Sequence, residues 1–191
     1  MNEFKDIRTL IVDPAGHSKN LLRSLLTTLN VSQAVAVANT DEALACLRQE
    51  HFSIVFCDEL VGPLDPYGFL MALRRDLVTR DVTVPVVLVS AAAEFSKITA
   101  ARDAGMNDVI AKPVSAGTIE RKLRSLLLAP RSFVTVKGFV GPDRRTGGER
   151  RQFGMRPPPQ GEDRRGKSAE VGSVFAIGPR LLAGEPKESD A

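Results

Sequence analysis

The chain has 191 residues, 43% hydrophobic and 26% charged, enough for one ordinary packed domain with a further segment. No apolar run reaches the roughly 18 residues of a membrane span, and the opening MNEFKDIRTLIVD lacks a signal-peptide core. Cys46 and Cys57 are the two cysteines, too few for a disulfide scaffold, so a reducing cytoplasm and no membrane partner are expected.

In chain order, short and nearly continuous apolar runs recur at Thr9–Val12, Ala34–Ala38, Ile54–Cys57, Val84–Val89 and Val109–Ala111, the pattern of parallel strands covered on both faces. Helical stretches alternate with them. Leu21, Leu22, Leu25, Leu26 and Leu29 line one helical face. Thr40 is placed to cap DEALACLRQE, whose Asp41 and Glu42 favour the positive helix end. Phe69–Leu77, Phe95–Ala104 and Thr118–Leu128 supply three more helices, and Gly105 stands where a left-handed cap is expected. The order predicts an α/β domain over residues 1–128: a (βα)5, doubly wound, parallel five-stranded sheet with helices on both faces.

Composition changes after Leu128. Ten of the 15 glycines and seven of the 12 prolines follow Ala129. Residues 1–128 hold 14 basic against 15 acidic side chains (−1), whereas residues 129–191 hold 12 against 8 (+4), which together give the net +3. Stretches such as GPDRRTGGERR have no apolar period, so residues 129–191 read as a largely disordered tail. Two apolar islands within it, Phe133–Val140 and Val171–Leu182, are candidates to dock on another surface.

Ligands of such sheets sit beyond the carboxyl ends of the strands. The runs end on Asp13, Asp58, Ser90 and Lys112, the last followed by Pro113. A carboxylate such as Asp58 can attack an activated phosphorus to give an acyl phosphate. Asp13, with Asp58, is a candidate ligand for Mg²⁺, which takes oxygen donors and keeps several waters. Lys112 supplies a point charge and Ser90 a hydroxyl donor. Ser90 is also placed to cap the helix that follows. His17 and His51 read as surface residues, and Cys57 as a small core side chain.

These residues lie in LIVDP, IVFCDELVGPLDPYG, VPVVLVSA and AGMNDVIAKP; in this order and spacing the chain resembles the receiver domains of two-component response regulators over about residues 6–128. The resemblance implies a flavodoxin-like receiver fold, in which Asp58 accepts phosphate from a histidine kinase or phosphotransfer protein. It further implies that Ser90 and Lys112 respond to the phosphoryl group, and that the Lys112–Pro113 peptide bond is cis. Three departures stand out. Pro14 replaces the usual second acid, which weakens the expected hold on Mg²⁺. The loop ELVGPLDPYG is longer than usual, and Val109 takes the position that often carries an aromatic residue. Glu59 is a candidate to supply the missing charge through water, although adjacent strand positions face opposite ways.

The resulting expectation is a stand-alone phosphoacceptor that signals through protein contacts to a downstream target, with no enzymatic activity beyond Mg²⁺-dependent self-phosphorylation from a phosphodonor. Two alternatives remain open. One is a phosphorylation-independent adaptor on the same fold. The other is tethering to nucleic acid or another acidic partner through residues 131–167, where ten basic side chains face four acidic ones.

Overall fold

The apolar runs become five parallel strands: β1 (Arg8–Val12), β2 (Gln33–Val37), β3 (Ile54–Asp58), β4 (Val86–Ser90) and β5 (Asp108–Ala111). The computed structural model describes residues 3–91, 95–129, 132–136 and 139–143. Strand order is β2-β1-β3-β4-β5, the doubly wound arrangement that the alternation of elements predicts. Its switch point lies between β1 and β3, where the chain leaves β1 in two directions. Central strands β3 and β4 are buried along their whole length, which explains why they read as unbroken Val, Ile, Leu and Phe.

Helices α1 (Gly16–Thr28), α2 (Thr40–Gln49), α3 (Pro66–Arg75), α4 (Phe95–Ala104) and α5 (Ala116–Leu123) connect the strands, and α5 runs on into a π-helical turn, Arg124–Leu128. Strand side chains alternate between two cores. Leu10, Val55, Cys57, Val86 and Leu88 pack with Leu44 and Leu47 of α2 and Phe69, Leu70 and Leu73 of α3. Ile11, Phe56, Val87, Val89 and Ile110 face α1 and α5 through Leu22, Leu26, Ile119 and Leu123. Each such aliphatic or aromatic burial contributes about 1.5–3 kcal/mol.

Helix ends correct the sequence reading in three places. Asn39, not Thr40, caps α2: its Oδ1 accepts from the Glu42 amide at 2.9 Å. Thr40 is buried, and its hydroxyl donates to the Gly62 carbonyl at 3.1 Å. Helix α3 starts at Pro66, earlier than Phe69, because Asp65 accepts from the Gly68 amide at 2.6 Å and proline suits the first helical position. Helix α5 likewise starts at Ala116, with Ser115 as its cap. Gly105 has φ 98°, as its position predicted. Its amide bonds the Arg102 carbonyl and the Met106 amide bonds that of Ala101, both at 3.0 Å, the paired closure of a Schellman end.

One island of the basic stretch is regular. Strands β6 (Phe133–Val136) and β7 (Phe139–Pro142) pair antiparallel, Phe133 opposite Pro142. The Phe133 ring lies 5.0 Å from the guanidinium carbon of Arg74 in α3, and Gly141 and Pro142 are buried. The aromatic and β-branched residues of FVTV favour strand pairing, a local signal hidden by the Gly- and Arg-rich composition around it. Residues 144–191, with the second island and the arginine pairs of the tail, lie outside the described residues.

Candidate functional site

The register brings the strand ends level. Val12 lies opposite both Val37 and Cys57, Asp58 opposite Val89, and Ser90 opposite Ala111. The pleat then sorts the polar residues into two groups. Asp13, Asp58 and Lys112 each stand two positions beyond a core residue of the α1/α5 side (Ile11, Phe56 and Ile110), so a period of two aims all three to that side. Ser90 and Glu59 stand two beyond Leu88 and Cys57, which face the α2/α3 side.

On the α1/α5 side the groups converge. Lys112 Nζ is bonded to Asp58 Oδ2 and lies 3.8 Å from Asp13 Oδ2. Asp58 is 3% exposed, whereas the Lys112 side chain is 31% exposed, so the ammonium is the solvent-facing member. The other carboxylate oxygens are held by backbone: Asp58 Oδ1 accepts from the Leu60 amide at 2.9 Å, and Asp13 Oδ1 from the Ala15 amide at 2.7 Å. These bonds fix both carboxylates in position. A cleft of about 220 Å³ opens beside them, lined also by His17 and Leu21 of α1 and by Val114. His17 is exposed in the first turn of α1, as the sequence indicates, although it borders this cleft. The Lys112–Pro113 bond is cis, as is Gly62–Pro63.

Ser90 makes a contact that the sequence reading did not include. The residues between Ala91 and Phe95, on which its capping role depends, lie outside the described residues. The Ser90 hydroxyl donates to Glu59 Oε2 at 2.5 Å, and the Ala91 amide donates to Glu59 Oε1 at 3.1 Å. Glu59 therefore turns toward the end of β4. The Glu59 amide bonds the Val89 carbonyl at 3.1 Å, extending the β3–β4 ladder one residue past Asp58, and the pleat carries its side chain away from Asp13. The period-2 argument holds the signal for this pairing, because Glu59 and Ser90 fall on the same side.

Beneath the rim, Cys57 is fully buried, and burial, reinforced by the carboxylates of Asp58 and Asp13, raises its thiol pKa far above the ordinary value. It stays a neutral core side chain. Among the described residues no three His, Cys, Asp or Glu side chains group as a metal cage. Asp13 and Asp58 are two carboxylates at one opening, which suits Mg²⁺: that ion is commonly held by one or two carboxylates, with water and phosphate oxygens completing its shell. Pro14 provides no third carboxylate.

A profile of the response regulator receiver domain family matches residues 9–124. The chain is 28% identical over 120 residues to the "Probable transcriptional regulator ycf27" of Porphyra purpurea, covering 63% of this chain and 47% of the relative. A protein of the same description from Cyanophora paradoxa is 26% identical over 125 residues, 65% of this chain and 50% of the relative. The chain thus spans about half the length of the curated relatives it matches. Among solved structures, the receiver domain of the Pseudomonas aeruginosa sensor histidine kinase PA1611, with magnesium coordinated in its active-site cleft, aligns with a TM-score of 0.55. It shares 23% identity, over 62% of this chain and 94% of that one. Vibrio cholerae chemotaxis protein CheY4 aligns with a TM-score of 0.57 at 18% identity, over 63% and 98%. At these identities the structural likeness bears on the fold alone.

Proposed function

Because the chain belongs to the response regulator receiver domain family of two-component signalling, we propose that it takes a phosphoryl group on Asp58 and passes the signal on through protein contacts. The donor in this reading is the phosphohistidine of a histidine kinase or phosphotransfer protein. An Asp58 carboxylate oxygen attacks phosphorus and the phosphorus–nitrogen bond breaks. The imidazole leaves with the electron pair, and an acyl phosphate remains. Lys112 neutralises charge on the phosphoryl oxygens as it now does on the carboxylates. Mg²⁺ held by Asp13 and Asp58 would supply further neutralisation of those oxygens. The chemistry stops at this self-phosphorylation, with no turnover of a separate substrate. We place the protein in the cytoplasm, where such donors are found; among the described residues no helix is long and apolar enough to cross a membrane.

The observation that carries this reading is the Lys112 ammonium set against Asp58 and Asp13 at an open cleft on the carboxyl edge of the sheet. The test is incubation with Mg²⁺ and acetyl phosphate, followed by intact mass. Wild type gains one phosphoryl adduct and Asp58→Asn gains none. A wild type without adduct, or an Asp58→Asn variant that still acquires one, overturns the reading.

A second reading, a phosphorylation-independent adaptor, is favoured by the engagement of Ser90 with Glu59 and by Pro14 in place of a second acid. Titration with Mn²⁺ separates the two: saturable binding that Asp58→Ala abolishes counts against the adaptor.

A further inference from the structure

A phosphoryl group and a carboxylate compete for the same donors. A hydroxyl and a backbone amide on consecutive residues at a strand end form a small anion-accepting pair, and Ser90 with Ala91 is such a pair. Its anion is already present. Glu59, half-buried, places one carboxylate oxygen on each donor, at 2.5 Å and 3.1 Å. The ladder bond from the Glu59 amide to Val89 holds its backbone beside β4, so this carboxylate needs no long reach.

Glu59 is also the immediate neighbour of Asp58. A phosphoryl group added to Asp58 brings about −1.5 to −2 charges next to the existing carboxylate. The two anions then repel each other, and in the phosphoacceptor reading, where Ser90 responds to the phosphoryl group, they draw on the same hydroxyl. We infer that Glu59 is an internal anion plug: it occupies the Ser90 and Ala91 donors in the resting protein, and phosphorylation of Asp58 must displace it. This deepens the phosphoacceptor reading and rests on it. The plug sets a threshold for forming the adduct, and its release frees the end of β4.

The test compares wild type, Glu59→Gln and Glu59→Ala for the rate of adduct formation with acetyl phosphate and Mg²⁺, read by intact mass. In that step an Asp58 oxygen attacks phosphorus and acetate leaves with the electron pair. Glu59→Ala withdraws this carboxylate from both donors and is expected to react about tenfold faster, the size of one charge-assisted hydrogen bond. Glu59→Gln, uncharged but able to accept from one donor, falls between. Adding Ser90→Ala to Glu59→Ala removes the gain. Equal or slower reaction of both Glu59 variants overturns the plug and leaves the phosphoacceptor reading standing. A gain that survives Ser90→Ala reflects charge repulsion alone and also overturns the plug. Absence of adduct from all forms overturns both.

Discussion

The two ends of the sheet each hold a cation, and treat it in opposite ways. At the carboxyl edge Lys112 meets two carboxylates and stays about a third exposed beside an open cleft. At the amino ends of β4 and β5, Arg74 meets neutral acceptors: the Val82 carbonyl at 2.5 Å and Asn107 Oδ1 at 3.3 Å. Asn107 Oδ1 also accepts from the Val86 amide, and Phe133 lies over the guanidinium. Arg74 is 7% exposed, and burial lowers its pKa against the opposing field of Asp81. It remains charged, because a guanidinium does not lose its proton in this pH range. A cation held by exchangeable anions at an opening is suited to chemistry. One fixed by backbone and roofed by an aromatic ring holds strands and a hairpin in register.

The largest test of this contrast is Arg74→Ala. It leaves a cavity and strips the Val82 carbonyl of its donor, with an expected loss of about 3 kcal/mol, read from the urea midpoint. Adduct formation on Asp58 should persist at concentrations of urea where the variant is folded. Arg74→Met, which keeps the volume, should recover part of the loss. A near-silent Arg74→Ala would show that the closed end is not what ties α3 to β4 and β5.

At the open end, Lys112→Met should do the reverse. The ammonium competes with any divalent cation for Asp58 and Asp13, and like charges a few ångströms apart repel by several kcal/mol even at an effective dielectric of about 20. Removing it is expected to tighten Mn²⁺ binding about tenfold, measured by titration, while the response to phosphorylation is lost. Unchanged affinity would mean that the carboxylates do not share their cation with the metal. Next in size, Phe133→Ala removes the ring over Arg74 and should cost about 1 kcal/mol, again by urea. A larger loss would mean that the hairpin contributes more than one aromatic contact.

The open end was more legible in the sequence than the closed one, for physical reasons. Asp13, Asp58 and Lys112 each follow an apolar run, and parallel strands in register must bring such positions together. Ser90 was legible as a strand end but not in its partner, because pairing with Glu59 depends on the pleat carried one residue beyond β3. Arg74 gave no signal: in FLMALRR it reads as the basic end of a helix, and what buries it comes from the α3–β4 connection, Asn107 and Phe133, residues remote in sequence. Asn39 and Asp65 went unread as caps because a polar neighbour or proline competed for the helix start. Phe133–Val140 was visible as an island, but its pairing out to Pro142 and its seat on Arg74 are tertiary facts that composition over 63 residues cannot supply.

The smallest expected effect concerns the layer just under the open end. Cys57 adjoins Asp58 along β3, yet the pleat turns its side chain into the core shared with α2 and α3, and burial keeps its thiol protonated. The thiolate is the reactive form, so N-ethylmaleimide at neutral pH should leave Cys57 unmodified while the half-buried Cys46 reacts. Cys46 itself should react slowly, since burial, followed by Glu50 and Glu42, raises its pKa. In Arg74→Ala, modification of Cys57 should rise only in proportion to the globally unfolded fraction, because the two ends are joined through the same β3–β4 core. If Cys57 in wild type instead reacts faster than global unfolding allows, the rim opens locally as far as the second residue of the strand end. The contrast between an open edge and a closed interior would then lie deeper in the sheet than Asp58.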